Sequence, residues 1–193
     1  MTAMETLLAN PFEKTFTEFV DDEKITQIKG TLFEQYHMTL TSSLKDFEKF
    51  EYIAGQILDD GTSIIKKTFD HICHLESKSK NIINIKDKSL KNIILQSYND
   101  PLKKQILDIA FDYPLTIWEI AARSKIGALY LSGDISYLIS HGLLATNDLD
   151  DSEHNKKYYS TIDEISVKIQ EEEFHMCVTI NEIANENPMK IIS

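Results

Sequence analysis

The sequence predicts a mostly α-helical protein. It has an N-terminal helical bundle, a second helical module that closes on a small β-hairpin, and a C-terminal helix suited to dimerisation. Three observations predict this. Apolar side chains recur at steps of three and four through most of the chain, the period of one helix face. Gly and Pro are scarce, at six and four in 193 residues, which argues against a turn-rich all-β fold. Helix-start signals at Asp100-Pro101 and at Thr116 with Glu119 precede Gly142, a natural left-handed helix end.

Taken in order, Phe12, Phe16, Phe19 and Val20 make the first apolar stripe. Ile25, Ile28, Leu32, Phe33 and Tyr36 make the second, behind the acidic start Asp21, Asp22 and Glu23, which suits the positive end of a helix dipole. Thr41-Ser42-Ser43 offers an N-cap for a third helix carrying Leu44, Phe47, Phe50, Ile53, Ala54, Ile57 and Leu58. Asp59-Asp60-Gly61 breaks it. Thr62 or Ser63 caps a fourth, with Ile64, Ile65, Phe69, Ile72 and Leu75. Four such stripes must bury against one another, so residues 1–88 are expected to form a sensing or partner-binding bundle. Phe12, Phe16, Phe19, Phe33, Phe47, Phe50 and Phe69 are its expected aromatic core. Residues 76–89 are polar apart from Ile82, Ile83 and Ile85, and read as a linker or a short strand followed by a turn.

Residues 89–162 form the second module. A helix at about Ser89 to Tyr98 leads to one opened by Asp100-Pro101, with Leu102, Ile106, Leu107, Ile109 and Ala110 inward. Asp112-Tyr113-Pro114 stops it. A short helix capped by Thr116 buries Ile117, Ile120 and Ala121. After a break at Lys125-Ile126-Gly127, a longer one carries Leu131, Ile135, Leu138 and Ile139. Leu143 to Thr146 and Tyr158 to Thr161 are expected to pair as a hairpin with a polar tip. Residues 163–193 then read as a final helix. Ile165, Ile169, Met176, Ile180 and Ile183 are spaced by four, seven, four and three, close to a heptad seam that would hold a homodimer.

Four stretches of the second module resemble the winged helix-turn-helix regulators of the ArsR and MarR type, found in bacteria and archaea. They are Asp100-Pro101-Leu102-Lys103-Lys104-Gln105-Ile106-Leu107, Pro114-Leu115-Thr116-Ile117-Trp118-Glu119-Ile120-Ala121, Leu138-Ile139-Ser140-His141-Gly142-Leu143-Leu144 and Lys156-Lys157-Tyr158-Tyr159-Ser160. The resemblance covers about residues 99–162. It implies a cytoplasmic transcriptional regulator that binds double-stranded DNA as a homodimer, with one helix in the major groove and a wing on the backbone. It assigns the DNA contacts to Arg123, Lys125, Tyr130, Ser132, Ser136, Lys156 and Lys157. Lys103 and Lys104 are either a further phosphate contact or a solvated face.

Charge qualifies that assignment. The chain carries 20 basic and 31 acidic residues, net −11. Residues 100–160 hold six basic and nine acidic side chains, whereas a dedicated DNA-binding domain is usually basic. Arg123 is the only arginine, and Asp134 on the presumptive groove helix would repel phosphate. The alternative is therefore an acidic winged-helix docking module in a larger protein assembly, without direct DNA contact.

No catalytic constellation, cofactor loop or membrane-length apolar run is present in the sequence, so the reading is a non-enzymatic, soluble protein without cofactor. The N-terminus lacks the pattern of a secretory signal, and two distant cysteines fit a reducing compartment. His71, Cys73 and His74 in the bundle, with His71 and His74 three apart on one helical face, are a conceivable metal set, as are His175 and Cys177 on the final helix. Neither has the spacing of a structural zinc site, and no metal is assigned. Trp118 is expected to fill a seam with a neighbouring domain. His37, His141 and His154 read as helix-end or wing residues.

Overall fold

The computed structural model describes residues 2–75, 81–147, 156–170 and 173–181. Helix α1 (Ala3–Phe19) opens on a capping box: Thr2 N–H donates to the Glu5 carboxylate at 2.7 Å, and Glu5 N–H donates to the Thr2 hydroxyl at 3.2 Å. It begins well before the Phe12 stripe and runs through Pro11, which removes one ladder donor. Helix α2 (Asp22–Tyr36) is capped by Asp21, and His37 ends it in a left-handed conformation at φ 54°. A 3-10 turn (Ser42–Asp46) leads into α3 (Phe47–Ile57) and then α4 (Gly61–Ile72).

Phe12 is the hub of the bundle. Its ring lies 5.5 Å from Phe16, 5.4 Å from Phe50 and 4.9 Å from Phe69 between centroids, spacings at which aromatic pairs attract beyond simple burial. Phe33 departs from the expected core. It is 61% exposed and meets only the edge of His37 among the ring contacts of described residues. Ile28 and Leu32 are fully buried and already supply that helix's inward face.

Strand β1 (Cys73–Leu75) follows α4 directly, and β2 (Ile82–Ile85) returns beside it. Helices α5 (Lys88–Asn99) and α6 (Pro101–Ile109) are capped by Asp87 and Asp100. Then come β3 (Leu115–Thr116), α7 (Ile117–Ser124), α8 (Ala128–Ser140), β4 (Leu144–Asn147) and β5 (Lys157–Ser160). The last two strands form the expected hairpin, and β3 pairs with β5 on its other side to give the sheet order β3-β5-β4.

Among the described residues the C-terminal helix expected from residue 163 onward is replaced by strands. Strands β6 (Ile162–Gln170) and β7 (Glu173–Ile180) occupy that stretch and complete a four-stranded antiparallel sheet in the order β1-β2-β7-β6. The seam expected for dimerisation goes with it. Met176 and Ile180 are fully buried within the chain, Ile165 is half-buried, and Ile169 is exposed. Ile183 lies outside the described residues, as does His154. The physical reason is the ambiguity of a four-residue step, which is even and so fits a strand's alternation as well as a helix's turn. Val167, Phe174 and Val178 fill the intervening inward positions. A bulge at Asp163, between the paired Ile162 and Glu164, keeps both Ile162 and Ile165 on the inner face.

One buried apolar cluster runs from Ala3 through the helices of both modules to Ile180. The two modules meet at Gly142. It has φ +73°, and a Cβ built there would lie 2.4 Å from the Thr6 carbonyl oxygen and 2.9 Å from Leu7 Cα. Nearby, the Asn10 amide donates to the Ser140 carbonyl. Thr161 closes the corner by donating its hydroxyl to the Gly142 carbonyl at 2.8 Å.

Gly142→Ala combines a left-handed backbone with a backbone clash, and is expected to destabilise the protein by about 2 kcal/mol or more. Gly133→Ala lies mid-helix in open space and should stabilise it by about 0.5–1 kcal/mol. Thermal melts of the two variants beside wild type check both signs.

Candidate nucleic-acid interface

Helices α6, α7 and α8 pack on one another, with the small sheet β3-β5-β4 beside them. Thr116 is both the end of β3 and the N-cap of α7. Its hydroxyl accepts from Glu119 N–H at 3.3 Å, and its own N–H donates to the Glu119 carboxylate at 2.7 Å. The turn into α8 runs through Lys125, which holds φ 60° and donates its N–H to the Ala121 carbonyl. Ile126 N–H is shared between the Ser124 hydroxyl and the Ala121 carbonyl, each at 3.3 Å.

These elements carry the expected contact residues on α7, the turn after it, α8 and β5. Arg123 is exposed in the last turn of α7, with its guanidinium 5.2 Å from the Tyr113 ring centroid. Lys125 is exposed in the turn, and Lys157 is exposed on β5. Lys156 is half-buried just before that strand. Tyr130 stands 79% exposed in the first turn of α8. Ser132 and Ser136 are exposed further along, with the Ser132 hydroxyl donating back to the Leu129 carbonyl at 2.8 Å.

Asp134 does not present a bare charge. Lys103 reaches from α6 to its carboxylate at 2.9 Å, and contacts Asp100 at the same distance. The same ammonium lies 5.2 Å from the Tyr137 ring centroid. Lys103 is thus engaged in fixing α6 to α8, and Lys104 pairs with Asp108 one turn along its own helix at 2.5 Å. With Asp134 paired, the exposed positions of α8 are the uncharged Leu129, Tyr130, Ser132, Gly133, Ser136 and Ser140.

Trp118 departs from its expected role. It is 63% exposed at the start of α7 and fills no seam among the described residues. With Leu129, 84% exposed, and Tyr130, it leaves large apolar side chains on the surface of this module. The sequence gives no period or motif that separates such residues from core residues on a short helix.

The conceivable metal sets are rearranged. Helix α4 ends at Ile72, so His71 is helical and His74 lies on β1. The two imidazoles therefore do not share a helix face. His71 meets the Phe19 ring edge-on at 5.7 Å between centroids. Cys73 is buried, and desolvation pushes its thiol up to about 12, which keeps it protonated and unreactive. His74 pairs with Asn84, and Asn84 with Cys177. His74 and Cys177 are thus two strand spacings apart, about 10 Å, too far to share one ion. No group of three or more metal-ligating side chains occurs among the described residues, and no described helix is long and apolar enough to cross a membrane.

In comparisons with family models, curated proteins and solved structures, the chain matches none.

Two carboxylates of this module sit below their ordinary range. The Lys103 ammonium, then backbone N–H donors, hold Asp100 below 3.8, and the Thr116 backbone N–H and hydroxyl hold Glu119 below 4.5. Stability from each is fully present above the ordinary value and is lost as pH falls through the lower folded value. Asp100→Asn and Glu119→Gln should therefore be less stable than wild type at neutral pH, and the gap should close under acid. Urea midpoints measured from pH 7 to about pH 3 check this.

Proposed function

We propose that the module of residues 89–162 is a winged helix-turn-helix that binds double-stranded DNA, making the chain a transcriptional regulator. In this reading α8 enters the major groove and the β4–β5 hairpin is the wing. The observation that carries it is the arrangement of α8. It follows a tight turn from α7, its one acidic side chain is half-buried and paired with Lys103, which also holds Asp100, and its exposed positions are uncharged. Tyr130, Ser132 and Ser136 are then the candidates for base contact. Arg123 and Lys125 flank the start of the helix, and Lys156 and Lys157 offer ammonium groups from the wing, where phosphates would lie. The bundle of residues 3–72 would carry the signal-receiving or partner-binding role.

A second reading has its own support. Trp118, Leu129 and Tyr130 are all more than half exposed, and aromatic residues are enriched at protein interfaces. The module would then dock a protein partner through the same surface, without touching DNA.

Anisotropy titrations with duplex fragments at several salt concentrations separate the two. Lys125→Gly suits the left-handed backbone and should leave the fold intact. It and Lys157→Ala are expected to weaken all duplexes alike, each reducing the salt slope by about one. Tyr130→Ala should change the preference among sequences and leave the slope unaltered. Failure of the wild-type protein to bind any duplex at low salt removes the DNA reading.

A further inference from the structure

The outer edge of the larger sheet points to a partner. Among the described strands β6 pairs only with β7, leaving its other edge without a strand. It is nine residues long and contains no proline, and beyond the bulge at Asp163 near its start its pairing is regular through Gln170. Natural edge strands are usually short, interrupted or charged, because an open edge templates further pairing.

The side chains of β6 alternate. Ile165, Val167 and Ile169 align with Val178, Met176 and Phe174 on the inner face, while Glu164, Ser166 and Lys168 align with Thr179, Cys177 and His175 on the other. Toward the hairpin tip the inner row runs out of cover, with Val167 44% and Ile169 79% exposed. Beyond the bulged Asp163 the edge therefore combines an apolar row on one face with one acid and one base on the other, symmetrically placed about Ser166.

We propose that β6 pairs antiparallel with β6 of a second copy of this chain across a two-fold axis at Ser166, joining two four-stranded sheets into one. In that register Glu164 faces Lys168 of the second copy, and Ile165 faces Val167 of the second copy. Symmetry makes each pair twice. Ile169 falls opposite the bulged Asp163 of the second copy and reaches its Ile165 along the diagonal, within range of long side chains. Neighbouring registers lack this match. Centring on Ile165 sets Lys168 against Ile162, and centring on Val167 sets Glu164 against Gln170 and Lys168 against Ser166. Parallel pairing in register sets Lys168 against Lys168. The charges that would deter an arbitrary strand thus fit a copy of the same one. The inference is independent of whether α8 meets DNA.

Sedimentation velocity of the full chain over a concentration series tests it. Wild type is expected to show a concentration-dependent dimer. Lys168→Glu and Glu164→Lys each turn two attractive pairs into two repulsive ones and should weaken the dimer about tenfold or more. Both side chains are exposed, and circular dichroism verifies that the fold is kept. An equimolar mixture of the two variants restores both opposite-charge pairs and should recover the dimer, as should the double variant. A wild-type chain that stays monomeric at every concentration overturns the proposal. So does a dimer whose affinity ignores the single charge reversals.

Discussion

The architecture depends on the close approach of two backbones at Gly142. Helix α8 ends there, the chain must turn toward β4, and the Thr6–Leu7 segment of α1 occupies the space a side chain would need. The contact is reinforced on both sides. Asn10 donates to the last turn of α8, and Thr161 donates to the Gly142 carbonyl from the far end of the hairpin. A packed interior transmits displacement because it has little free volume. The bundle, α8 and the hairpin come together around this position, within the buried cluster the two modules share, so the end of α8 and the start of β4 are both set against α1.

The second junction is Thr161, where the chain leaves the small sheet and enters the large one. Its N–H donates to the Leu143 carbonyl, and its carbonyl accepts from Asn181 N–H. Asn181 in turn donates its side-chain amide to the Phe111 carbonyl at 3.0 Å. The last described residue of the large sheet's inner neighbourhood is thus tied to the loop before β3. Tyr98 packs into the same region, and desolvation pushes its phenol up to about 12. The strands that replace the expected C-terminal helix are accordingly part of the framework that holds the helical module, since Met176, Val178 and Ile180 are wholly within the common core.

Legibility in the sequence followed the strength of local signals. Capping residues were the clearest. Asp21, Asp100 and Thr116 all cap the helices they were expected to open, because one side-chain oxygen meeting a free N–H is a local event. Asp60, by contrast, stands at the start of α4 where Thr62 or Ser63 was expected. Strand β3 went unread because two residues have no period, and Thr116 already had an evident role as a cap. Residues 163–180 were misread because Ile165 and Ile169, like Met176 and Ile180, fit either period, and the deciding alternation lay in Val167 and Val178. Around α8 the residue types were legible, but the electrostatics were not. That Asp134 is answered by Lys103, which lies on α6 far back in sequence, is a tertiary fact. A net charge of −11 for the chain says little about a helix whose one carboxylate is already paired.

The bulge at Asp163 gives strand β6 an unusual tolerance. Along the rest of that strand, losing one residue would turn everything beyond it inside out, setting lysine and glutamate against the core and isoleucine toward water. At Asp163 the chain carries one residue more than its partner strand requires. Removing it would restore plain alternation and leave every later side chain on its present face. This slack lies just after Thr161, at the junction between the two sheets, and a bulge bends the strand that carries it. A one-residue deletion is thus absorbed here, while the pairing beyond stays as it is.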